Sequence, residues 1–115
     1  MDWFKVGAFF GLAGVVLGAF GAHAMKSRLT PELFSAYQTA VLYQFIHALA
    51  LLAIARAGLS PSTLNWSGTC FTAGILLFSG SLYALAFTGT KVLGAITPLG
   101  GLCLIAAWTS LLLRS

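Results

Sequence analysis

Apolar residues fill this chain in long blocks, broken only by short clusters of charge and turn-forming residues. Uncharged stretches run over 6–25, 33–55, 57–90 and 92–113 and hold 20, 23, 34 and 22 residues. A helix needs about 20 apolar residues to cross roughly 30 Å of hydrocarbon. The third stretch exceeds one span, and its opening, Gly58 to Asn65, reads as polar loop because it carries Gly58, Pro61 and Asn65. The pattern therefore predicts spans at about 6–25, 33–55, 67–88 and 92–113. Short connections force neighbouring helices to alternate in direction. The expected fold class is all-α: an integral membrane bundle of four antiparallel transmembrane helices, forming one domain over 1–115. Continuous apolar runs lack the alternating polarity of barrel strands.

Composition narrows the class. Hydrophobic residues make up 59% of the chain and charged residues 7%, against roughly 25% charged in a soluble domain. A soluble surface cannot be built from so little charge, and a disordered tail is not this apolar. The net charge of +4 sits at the helix ends, where lysine and arginine reach headgroups. This makes membrane lipid the partner and argues against nucleic acid. Lys5, Arg56 and Arg114 fall on one side and Lys26, Arg28 and Lys91 on the other. The positive-inside rule therefore assigns no orientation, and both a fixed topology and dual insertion stay open. Lys5, an apolar run and Ala22-His23-Ala24 imitate a signal peptide. The run is too long and too glycine-patterned for that, so it is read as a retained span. Cys70 and Cys103 fall at different depths and read as small buried residues, not a disulfide.

Within the first span, Gly7, Gly11, Gly14, Gly18 and Gly21 recur in steps of 4, 3, 4 and 3. That spacing lays a glycine stripe along one helix face, where another backbone can approach closely. The stripe packs against span two or four, with a homodimer seam as the other reading. Thr30-Pro31-Glu32 is a helix start, with Thr30 as N-cap and Pro31 in the first turn. The second span is the most polar. Tyr37, Thr39, Tyr43, Gln44 and His47 fall in one broad sector, which must face the other helices rather than acyl chains. In the third span, Gly74, Ser81 and Thr88 mark one small-residue face and Thr72, Ser79 and Tyr83 another, so this helix is expected to be central. Pro98 should kink the fourth span, with Gly100 and Gly101 admitting a neighbour at the bend. His23, Lys26, Arg28, Trp66 and Trp108 read as interfacial.

Gly18-Ala19-Phe20-Gly21-Ala22-His23-Ala24, Thr39-Ala40-Val41 with Tyr43-Gln44 and His47-Ala48-Leu49, Phe71-Thr72-Ala73-Gly74 with Phe78-Ser79-Gly80-Ser81-Leu82-Tyr83, and Ile96-Thr97-Pro98-Leu99-Gly100-Gly101 with Trp108 form a specific set. In these segments the chain resembles the YgdD/YwdK-type small membrane proteins of bacteria, a family of unknown function with eukaryotic relatives. The resemblance spans nearly the whole chain. It implies four helices in a bacterial inner membrane and supplies no catalytic residue.

The chemistry-bearing residues point away from catalysis. His23 and His47 lie roughly 5 and 22 Å from the first loop, so they cannot share a metal within one subunit. No carboxylate lies inside a span to orient a Ser79–His47 pair as nucleophile and base. No cofactor is implied. Hydrogen bonding is the better use of the polar groups: His23 to Tyr37 or Gln38, and Gln44 and His47 to Ser79, Tyr83 or Thr97. The expected role is non-catalytic, in membrane maintenance or as a helper of other membrane proteins, with itself as one candidate partner. Two alternatives remain: a small-solute or proton channel lined by Tyr37, Gln44, His47, Ser79 and Tyr83, and an accessory subunit of a larger membrane complex.

Overall fold

Three of the four helices begin where a short polar side chain caps free backbone amides. Asp2 accepts from the Lys5 amide at 3.1 Å, Thr30 from Leu33 at 3.3 Å and Ser60 from Thr63 at 3.3 Å. The computed structural model describes residues 1–114. Helix α1 spans Trp3–Met25, α2 Pro31–Ala55 and α3 Pro61–Thr88. A short 3₁₀ segment, Lys91–Ala95, leads into α4, Thr97–Leu112. Gly89 closes α3 in the left-handed region at φ 69°, where glycine carries no Cβ penalty. The fourth candidate span, Lys91–Leu112, joins the 3₁₀ segment to α4, so four helical segments are long and apolar enough to cross a membrane. The longest dimension, 47 Å, compares with about 40–45 Å for a bilayer including headgroups.

Two span assignments need correcting. The third helix starts at Pro61, not near residue 67. Ser60-Pro61 carries the same cap-and-proline signature as Thr30-Pro31, and Asn65 sits inside the helix rather than breaking it. Pro98 does not kink a continuous helix. It stands in the first turn of α4, where its missing amide costs no hydrogen bond, and the chain reaches it through tighter 3₁₀ winding.

The helices pack in chain order. As α1 ascends through Gly7, Gly14, Gly18 and Gly21, its neighbours on α2 descend from Leu51 and Ala48 to Phe45, Val41 and Tyr37. Across α2 and α3, Tyr37 meets Phe87, Tyr43 meets Phe78 and His47 meets Phe71. Across α3 and α4, Ser81 meets Thr97, Gly74 meets Leu104 and Phe71 meets Trp108. Helices α2 and α3 therefore form the centre, and they are about twice as buried as the two outer spans. The core gathers Trp3, Phe10, Leu51, Ile54, Phe71, Ile75 and Leu104. Large apolar side chains such as Phe9, Leu12, Phe20, Leu49, Leu102 and Ile105 point outward, which suits a surface bathed in acyl chains.

Glycine contacts replace the hydrophobic drive that lipid removes. The α1 stripe turns toward α2 within the same chain, but Gly11 does not take part: a Cβ there would meet nothing within 4 Å. Gly101 is also nearly free, its nearest neighbour being the Phe78 ring at 3.9 Å. Gly100 makes the closest approach to another backbone, with its missing Cβ directed at the main chain of Phe78. Gly74 faces the Leu104 side chain and the Gly100 carbonyl.

Gly100→Ala should therefore lower stability by about 1–3 kcal/mol, because backbone cannot move aside as a flexible side chain can. Gly11→Ala should leave it unchanged or raise it slightly. Thermal unfolding in detergent reads both, and equal midpoints for the two variants would refute the close α3–α4 approach.

Candidate functional site

A row of polar side chains runs through the middle of α2, and each reaches a different helix. Tyr37, Gln44 and His47 are buried, at 0%, 3% and 4% exposure. The Tyr37 hydroxyl donates to the Leu17 carbonyl at 2.6 Å. That carbonyl lies in a π-type turn of α1, Val16–Gly21, where the wider winding hands it to the Ala22 amide. Gly21 makes room for the hydroxyl, since a Cβ there would collide with it.

Gln44 lies mid-helix and bridges three helices. Its Nε2 donates to the Phe10 carbonyl on α1 at 2.8 Å, and its Oε1 accepts from the Tyr83 hydroxyl on α3 at 2.7 Å. Both ends of the amide are thus satisfied in a region without water. One turn away, the Ser79 hydroxyl donates to the Ala40 carbonyl at 2.7 Å. Ser79 closes a second π-type turn, Ile75–Ser79 in α3.

His47 ties α2 to α4. The Trp108 indole Nε1–H donates to its Nε2 at 3.1 Å, and its Nδ1 lies 2.7 Å from the Tyr43 carbonyl. An indole only donates and a carbonyl only accepts, so the geometry assigns a neutral ring with its proton on Nδ1. Phe71 packs edge-on to Trp108 at 5.0 Å and tilts against His47 at 5.7 Å, enclosing the pair.

Several sequence-based expectations fall elsewhere. His47 pairs with Trp108, not with Ser79, Tyr83 or Thr97. The Trp108 indole N–H is used within the protein, although the ring itself is 46% exposed. Thr97 pairs with Ser81 at 2.6 Å, separate from the Gln44 network. Thr39 stays off the interior and bonds back to the Ser35 carbonyl at 3.1 Å. Tyr43 is on the edge, 37% exposed, with its ring stacked on Phe78 at 4.2 Å. His23 is exposed near the end of α1, and the Tyr37 hydroxyl that it was expected to meet is taken by Leu17. Lys26 and Arg28 lie exposed in the first turn, and Trp66 is exposed on α3.

Sequence reasoning missed Trp3. It is 6% exposed, donates to the Asn65 Oδ1 at 3.1 Å and lies against Gly68, joining α1 to α3. Reading Asn65 as loop hid that partner. Trp108 could have been found: Gly100, Leu104, Ala107 and Trp108 follow helical spacing on one face. Cys70 and Cys103 are free and half-buried. Among the described residues no group of three His, Cys, Asp or Glu is placed to hold a metal. The Thr72 Oγ1 is the buried side-chain polar atom there without a partner.

The family described as protein of unknown function (DUF423) matches residues 17–101. A UPF0382 membrane protein of Staphylococcus haemolyticus is 42% identical over 96% of this chain and 91% of its own length. The UPF0382 membrane protein YwdK of Bacillus subtilis is 42% identical over 90% of this chain and 86% of its own length. These matches bear out the resemblance read from the signature segments. No solved structure matches.

Two double-mutant cycles test the network by reversible unfolding in mixed micelles. Gln44→Leu should cost about 1–3 kcal/mol by stranding the Tyr83 hydroxyl and the Phe10 carbonyl. Adding Tyr83→Phe should recover part of that loss. His47→Ala and Trp108→Phe should couple by about 0.6 kcal/mol and at most about 1.7. Strict additivity in both cycles would show that these pairs do not interact in the membrane.

Proposed function

The chain belongs to the DUF423 family of UPF0382 membrane proteins, and on that premise we propose that it is a non-catalytic, multi-pass protein of the bacterial inner membrane that assists or stabilises other membrane components. One observation carries this reading: the buried polar side chains at the centre of α2 and α3 are spent on partners within the protein. Gln44, His47, Ser79, Tyr83 and Tyr37 each have partners on neighbouring helices or on the backbone. Such pairing specifies how helices fit together, and leaves neither an activated nucleophile nor a free proton relay. Helical spans and relatives named as membrane proteins in Staphylococcus and Bacillus support a membrane site, and helices rather than barrel strands suit a plasma membrane. An accessory subunit of a larger complex is one form of the same role, and further copies of this chain are also candidate partners.

A second reading has one observation in its favour. Gln44, Ser79 and Tyr83 line a crevice of about 180 Å³ whose remaining walls include Phe9, Phe10 and Ile75. A solute path would have to pass these apolar walls and break the Gln44–Tyr83 bond.

Reconstitution into proteoliposomes separates the two. Proton flux, read by an internal pH dye, and small-solute swelling should equal those of protein-free vesicles. Flux that is present in the wild type and lost in folded Gln44→Leu would establish the channel instead. Purification in mild detergent should also recover a stoichiometric membrane companion or a homo-oligomer, and a solitary monomer at native expression counts against the helper role.

A further inference from the structure

Helices α1 and α3 meet at Trp3, where the indole lies on Gly68 and bonds Asn65. Beyond that wedge three cavities follow one another along the cleft. A mouth of about 270 Å³ is lined by Asp2, Phe4, Arg56 and Leu64. A groove of about 280 Å³ shares Met1 and Trp3 with the mouth and continues past Val6, Thr69, Thr72 and Ala73. The crevice beside Gln44 shares Leu76 with the groove. We propose that this cleft binds one anionic glycerophospholipid, with its phosphate at Arg56 and one acyl chain laid between α1 and α3.

Depth, charge and lining each fit that occupant. From Leu64 at the mouth to Leu76 at the inner end of the groove, α3 rises by roughly 18 Å. One leaflet contributes about half of the roughly 30 Å hydrocarbon core, so mouth and groove together match the depth of a single lipid. The mouth is where the charge lies. The Arg56 guanidinium is held 4.7 Å from the centre of the Phe4 ring, which fixes a planar donor fork at the bilayer surface. Guanidinium matches phosphate oxygens in pairs, which a mobile ammonium does not. Asp2, the carboxylate at the same mouth, is engaged in capping the Lys5 amide. Below the mouth the groove walls are apolar apart from Thr69 and Thr72. A chain laid there lies against α1 and α3, below the point where Trp3 joins them. The proposal is independent of the helper role: lipid retention is read without flux or a protein companion, so either idea can fail alone.

Native mass spectrometry of the full-length protein, released from detergent after equilibration with dioleoyl phosphatidylglycerol or dioleoyl phosphatidylcholine, tests it. Wild type should keep one phosphatidylglycerol per chain, with about a tenfold preference over phosphatidylcholine. Arg56→Gln should abolish the preference. Ala73→Phe and Thr69→Phe, which fill the groove, should each lower occupancy by about tenfold. Leu102→Phe adds bulk to the outer face of α4 and should change nothing. Circular dichroism confirms that each variant keeps its helices, and exposed Thr69 provides a groove-filling variant where Ala73→Phe disturbs packing. Loss of lipid equally in Leu102→Phe, retention in both groove variants, or a preference that survives Arg56→Gln overturns the site.

Discussion

Hydrocarbon offers a polar group no partner, so a hydrogen-bonding atom carried across it is costly unless it finds one inside the protein. Gln44 shows how strictly this applies. An amide has two donor hydrogens and a carbonyl, and both ends find matched partners, the Phe10 carbonyl and the Tyr83 hydroxyl. Those partners belong to α1 and α3, so satisfying one side chain locates three helices at once. His47 does the same for α4 through Trp108. Each such bond contributes little free energy, about 0.6 kcal/mol on average. The constraint acts through its exclusions: a helix rotated or shifted by one residue would strand a buried amide or imidazole.

Close packing then supplies the attraction that water supplies in soluble proteins. The two widened turns belong to this scheme. In α1 the π-type turn redirects the Leu17 carbonyl so that both the Ala22 amide and the Tyr37 hydroxyl reach it. In α3 the second widened turn lies where the backbone of Gly100 comes against Phe78. Both irregularities sit at helix contacts, and glycine stands opposite or within each. Backbone geometry and side-chain size are therefore adjusted together, and neither is interpretable alone.

How much of this could be read from the chain depends on the length scale. Spans follow from the spacing of eight charges, because a bilayer imposes a single length. Helix faces follow less well. At 100° per residue, Gly11 lies roughly 40° round from Gly7, at the edge of the stripe, and that edge turns out to be open. Thr39 lies roughly 120° from the centre of the buried face of α2, so a sector drawn wide enough to include it was too wide. Specific partners follow least. Helical spacing turns His47 inward and puts Trp108 at the edge of the α4 contact face, but their meeting depends on the relative height of α2 and α4. The Trp3–Asn65 bond is hidden for a simpler reason: asparagine immediately before an aromatic-belt residue reads as a turn, and only the Ser60-Pro61 cap places it in a helix.

The same accounting bears on where the molecule can meet anything else. Where the interior polar atoms are already paired, recognition has to occur on the lateral surface or at the helix ends. Most of that surface is large apolar side chains, which treat one acyl chain like another. Specificity needs shape together with charge, and the α1–α3 cleft brings both to one place. Trp3 joins the two helices at one end, and Arg56 sits at the mouth with its guanidinium against Phe4. Trp3 is itself a buried member of the core that joins α1 to α3 at one end, and a groove runs inward below it. The residue that ties the first helix into the bundle thus stands at the head of the groove that opens on its flank.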